Sequence, residues 1–351
     1  MIWSMPTTSF HHPQGSSFAQ RFDWWRALVR VLASVEAIRD GRAMYVLLSS
    51  FAAAGLAVAC AQSSMARNQL PWAIGQGAAA LFIAFYGSNA AGLLLMDRAM
   101  GRPGRDVGQA LEDALGIAHR LLVSLVVILL AASVLAGTVL GLFWLCSLPK
   151  VGPWLFVVVV PLTVMVMGLV LVAGASIVGP LAGPSVWAGA SSLESPRILW
   201  RLIREQLLQA AVLMASLSVV TALVGAGASF VVIAGGRVMA LLSVWLLDVD
   251  VAPELFMAGL FGHSLRGVPV GDVPANAVPY ISAASVGGGV VFALGLVLPT
   301  LVYLRGVCEI YVTLRERMAE TDAHRADLNL KVGQVTAIDR QGLAGDVAGG
   351  A

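Results

Sequence analysis

Leu121–Leu148 reads LLVSLVVILLAASVLAGTVLGLFWLCSL, and Pro153–Leu181 reads PWLFVVVVPLTVMVMGLVLVAGASIVGPL. Neither run holds an acid, a lysine, an arginine or a histidine. A bilayer's hydrocarbon core is about 30 Å thick, and about 20 helical residues cross it. Both runs exceed that length, and the tight Pro149–Gly152 turn makes them an antiparallel pair. The surplus length is absorbed by tilt or by running into the interface. Pro161 lacks a backbone donor and is expected to kink the second run.

Four more uncharged runs flank this pair: Met44–Ala61, Trp72–Met96, Leu207–Ile233 and Ser282–Leu304. The whole composition agrees. Of 351 residues, 58% are hydrophobic and only 12% are charged, with a mean hydropathy of +0.83. Soluble domains carry about 25% charged residues, so this chain cannot clothe itself in a polar surface. The reading is an all-α polytopic transmembrane helix bundle with six spans. Lipid is therefore its main partner. A net charge of +2 offers no field for nucleic acid.

Orientation follows from basic residues in the short connections. The leader holds Arg21, Arg26, Arg30, Arg39 and Arg42, whereas Gln62–Pro71 holds only Arg67. Asp97–Arg120 is rich, the Pro149–Gly152 turn has Lys150 alone, and Ala182–Gln206 is rich again. Ala234–Ile281 has only Arg237 and Arg266, and the tail is basic. Rich and poor segments alternate, which predicts both termini on the cytoplasmic side. No cleavable signal is read in the first forty residues, which lack a basic start followed by an apolar core.

The basic connections carry helix signals. Asp106 with Gln109 is a capping box, followed by Ala110, Leu111, Ala114, Leu115 and Ala118 at helical spacing. Ser195-Pro196 is a cap followed by a first-turn proline, ahead of Ile198, Leu199, Leu202 and Ile203. In the leader, Phe18, Phe22, Trp25, Leu28, Val29 and Leu32 share one face. Such helices lie in the headgroup plane. The chain can thus be read as three units, beginning near Phe18, Asp106 and Ser195. Each has a surface helix, an outgoing span and a returning span. The expected organisation is a disordered leader (1–17), an amphipathic surface helix (18–43) and a six-span domain (44–315) with an external loop at 234–281. A disordered cytoplasmic tail (316–351) closes it.

Three segments carry a resemblance: Gln109–Leu115 (QALEDAL), Ile198–Leu202 (ILWRL) and Ile310–Arg315 (IYVTLR). Over roughly residues 80–315 the chain resembles a loose group of bacterial six-span membrane proteins. The group includes the membrane domain attached to some glycerophosphodiester phosphodiesterases and conserved proteins of planctomycete-like bacteria. The resemblance implies a bacterial inner membrane. It carries over no active site, because no phosphodiesterase domain accompanies these segments.

Candidate chemistry is sparse. Cys60, Cys146 and Cys308 lie far apart with no metal spacing, and His11 and His12 are the only adjacent histidines. The acids Asp248, Asp250 and Glu254 do not match a calcium loop. No catalytic group, metal site or cofactor is assigned. The second span is the most polar, with Gln76, Tyr86, Ser88 and Asn89 among Gly75, Gly77, Gly87 and Gly92. These residues suit close helix packing or a polar path, and packing is the stronger reading. Gly225, Gly227 and Gly287–Gly289 invite the same explanation. Gly101-Arg102-Pro103-Gly104-Arg105 lacks the lysine and hydroxyl of a nucleotide loop. Arg102 and Arg105, with Arg197, Arg201 and Arg204, are candidates for lipid-headgroup contacts. Arg305 and Glu309, four apart, are a candidate pair at a cytoplasmic mouth.

Charge inside a bilayer marks function, and no span carries any at its middle. The reading is a non-catalytic accessory, scaffold or assembly subunit. Its protein partner would dock on the external loop or the surface helices. The alternative is a transporter or permease for a lipid or other apolar solute.

Overall fold

The computed structural model describes residues 23–148, 152–247 and 278–348. It is all-α, and six of its helices are long and apolar enough to cross a membrane. Asp23 accepts from the Arg26 amide and starts α1, Trp24–Leu32. A 3₁₀ segment, Ala33–Arg39, follows and stops at Asp40. Asp40 in turn caps α2, Gly41–Ala66. α3 is Leu70–Ala99, with Pro71 in its first turn.

Helix ends follow local chemistry. α2 and α3 each finish with paired 6→1 and 5→2 bonds from the next residues, closed by Asn68 at φ 54° and Gly101 at φ 65°. The Gly101–Arg105 loop is thus a helix stop. α4, Val107–Cys146, opens on the expected capping box, in which the Asp106 amide donates to Gln109 Oε1 at 3.3 Å.

α5, Gly152–Ala173, continues through Pro161 without a break. The irregularity comes later, as a π turn at Gly174–Val178 leading into α6, Gly179–Trp187. Pro180 has no N–H to give the Ser176 carbonyl, and the widened turn falls there.

α7 spans Glu194–Leu247. Its cap lies earlier than Ser195-Pro196: Ser191 Oγ accepts the Glu194 amide, and Glu194 Oε2 accepts the Ser191 amide. The helix breaks at Gln206, at φ −139°, one residue before the expected fifth span. Residues 234–247, read as the start of an external loop, instead continue α7. The apolar stretch from Val238 has nothing to stop a helix. The rest of that loop, 248–277, lies outside the described residues. So do residues 1–22 with His11 and His12, the acids Asp248, Asp250 and Glu254, and Lys150.

The last span is two helices, α8 (Val278–Gly295) and α9 (Val297–Ala348). The break at Leu296 reflects Pro299, whose ring excludes a regular bond to Gly295. α9 carries the tail, expected to be disordered, as helix to Ala348. The tail's first turns are tied down: Asp322 pairs with Arg201, and Arg325 reaches Glu205 at 3.4 Å.

The buried residues gather at the arginine-rich ends of the helices. α3 contributes Gly87–Asp97, α6 Leu181–Trp187, α7 Leu199–Leu217 and α9 Leu301–Leu314. Away from this end, α2 crosses α8 where Gly55 and Gly289 meet. A Cβ on Gly55 would fall 2.8 Å from the Gly289 carbonyl. Gly87 and Gly92 are likewise filled by neighbours, whereas Gly75, Gly77, Gly227 and Gly287 face open space. The packing role therefore belongs to only some of the glycines that suggested it.

Candidate functional site

The polar residues of the second span are engaged within the protein. The Asn89 carbonyl accepts the Trp187 indole N–H at 2.9 Å, and its amide donates to the Phe85 carbonyl at 2.8 Å. Ser64 donates to Gln76 Oε1 at 2.9 Å, joining α2 to α3. Tyr86 is half-buried against the rings of Phe82 and Phe85. Ser88, also half-buried, makes no side-chain bond among the described residues.

A second knot lies among serines. Ser185 and Ser195 hydroxyls stand 2.5 Å apart, and Ser124 donates to Ser195 at 3.3 Å. Among the described residues no acid or histidine bonds to them, so they tie α4, α6 and α7 together and present no nucleophile with a base. No cluster of three or more metal-ligating side chains occurs among the described residues.

The arginine candidates divide. Arg105 is held by Asp97 and Asp113, both at 3.0 Å, and Asp97 is buried. Arg201 is bound to Glu205 and Asp322. Arg204 stacks over Trp200, 4.9 Å from the ring centre. Among the described residues Arg102 and Arg197 make no side-chain hydrogen bond or ion pair, although the charge of Arg102 acts on Asp97.

Arg305 and Glu309 pair at 2.5 Å on α9. Arg305 also donates to the Leu95 carbonyl at 3.2 Å, near the negative end of α3. The pair forms one wall of a cavity of about 230 Å³ between the 3₁₀ segment, α3 and α9. Glu36 and Arg39 come from the 3₁₀ segment and Arg98 from α3. Residues three apart eclipse on a 3₁₀ helix, which is why Glu36 and Arg39 reach one cavity. Ala33 and Ala37 are small enough to leave the space open.

Arg98 is steadied by Asp40 at 2.7 Å. Arg30 clamps the 3₁₀ side to α9 through Glu316 at 2.9 Å and Thr313 at 3.3 Å. Among the described residues Glu36 and Arg39 have no hydrogen-bond or ion-pair partner. Sequence reading found the Arg305–Glu309 wall and missed Glu36, Arg39 and Arg98, whose three-residue spacing and span-end position are weak signals on their own.

No protein-family model, curated protein or solved structure matches this chain.

Proposed function

We propose that this chain is a non-catalytic scaffold or accessory subunit of a bacterial inner membrane, with both termini cytoplasmic. One observation carries the reading. The most apolar stretches of α4, Gly152–Trp187 and α7 are only 6%, 6% and 11% buried, against 56% for α3. Three of six spans are therefore anchored at one end and leave most of their length to lipid or to other helices, and the scaffold reading assigns part of it to other helices. The internal use of Asn89, Gln76 and the serine knot supports packing over a solute path. The alternating basic connections support the orientation, and the resemblance to bacterial six-span proteins supports the membrane.

Photo-crosslinking amino acids at Leu129, Val164 and Leu223, exposed positions on α4, α5 and α7, test the reading in cells. The expected result is one protein adduct of the same mass from positions on different spans. A matching protein should co-purify stoichiometrically in mild detergent. Lipid adducts alone at all three positions, with a monomeric chain, would overturn it.

A further inference from the structure

We propose that the cavity between the 3₁₀ segment, α3 and α9 binds phosphoethanolamine chemistry, a phosphodiester beside a primary ammonium. Size comes first. Pockets for drug-sized ligands run from about 300 to 1,000 Å³. At about 230 Å³ this one is below that range and has room for a head group.

Charge comes next. Three guanidiniums, of Arg39, Arg98 and Arg305, share the space with the carboxylates of Glu36 and Glu309. Guanidinium forks match phosphate oxygens, and carboxylates accept from an ammonium. Arg305 and Glu309 already satisfy each other, and Arg98 is partly used by Asp40. Among the described residues Arg39 and Glu36 are the uncommitted pair of opposite charges. They leave one cation for a phosphate and one anion for an amine. A purely anionic ligand would leave Glu36 facing like charge.

Position comes last. Val35 and Ile38, on the same 3₁₀ segment, are exposed. So are Trp25, Val29 and Leu32 of α1. This apolar outer stripe beside an ionic cavity places the cavity at headgroup depth. The chemistry is shared by an intact phospholipid and by a soluble glycerophosphodiester.

The test uses the full chain in nanodiscs holding equal parts phosphatidylethanolamine, phosphatidylglycerol and phosphatidylcholine, followed by native mass spectrometry of retained lipid. The wild type is expected to retain phosphatidylethanolamine preferentially. Arg39→Gln should lower that retention about tenfold, the loss of one charge-assisted hydrogen bond. Glu36→Gln should erase the preference over phosphatidylcholine, whose quaternary ammonium has no proton to donate. Both residues are exposed, so folding, checked by size exclusion, should be unaffected. Arg67→Gln, at the opposite ends of α2 and α3, serves as control. Titration with glycerophosphoethanolamine in detergent separates the sources. Binding there shows that the head group suffices, and binding only in nanodiscs identifies the lipid. Equal retention of all three lipids, a preference for phosphatidylglycerol, or variants indistinguishable from wild type would overturn the proposal.

Discussion

Asn89→Leu separates packing from transport in one substitution. It removes the acceptor of the Trp187 indole N–H and the donor to Phe85, and both Asn89 and Trp187 are buried. Two magnitudes compete. A buried donor left unpaired costs about 1–3 kcal/mol. Interhelical hydrogen bonds within membranes average about 0.6 kcal/mol with a maximum near 1.7, because the unfolded chain also finds partners in lipid. Local packing decides between them. A Cβ on Gly92 would fall 2.5 Å from the Trp187 ring, and one on Gly183 would fall 2.9 Å from it. The indole is therefore gripped on two sides and cannot turn to another acceptor. The expected cost lies near the upper membrane value, about 1–2 kcal/mol. Unfolding in mixed micelles measures it, as a cycle with Trp187→Phe, which deletes the donor. The coupling should be about 0.6–1.7 kcal/mol. Additivity within about 0.3 kcal/mol would refute the hydrogen bond. Unchanged stability with loss of lipid flux in liposomes would refute packing and favour a permease.

Arg105→Ala should cost about 3–5 kcal/mol, because it strands the buried Asp97 carboxylate; adding Asp97→Asn should restore most of the loss in the same unfolding assay. Gly55→Leu should abolish a monodisperse peak on size exclusion, since its Cβ would meet both the Gly289 carbonyl and the Ala293 methyl at 2.8 Å. Gly77→Leu, with nothing within 4 Å, should elute as wild type. Gly101→Ala should destabilise by about 1–2 kcal/mol, the cost of a side chain at its φ of 65°, and a wild-type unfolding midpoint would contradict that.

The helix stops show how far local chemistry reaches. Asp106 and Gln109 announce α4 because a capping box needs only residues three apart. Ser191 and Glu194 hold the same information for α7, yet the Ser195-Pro196 pair is the louder signal and points four residues late. Ser195 is used for something no local rule encodes, a bond to Ser185 across the core. The tail is polar and reads as unfolded. Its first turns are held by Arg201 and Glu205 of α7, which pair with Asp322 and Arg325, contacts more than a hundred residues apart.

Residue types by themselves determined that this protein has six apolar helices and where most of them begin. Transfer of uncharged runs to lipid and local capping depend on neighbours in the chain. Tertiary structure alone decided which glycines pack, which arginines stay free and that Glu36, Arg39, Arg98, Arg305 and Glu309 share one cavity. Those facts depend on which helix lies beside which. Composition and periodicity carry no such information, because a lipid-facing leucine and a helix-facing leucine look alike until the helices meet.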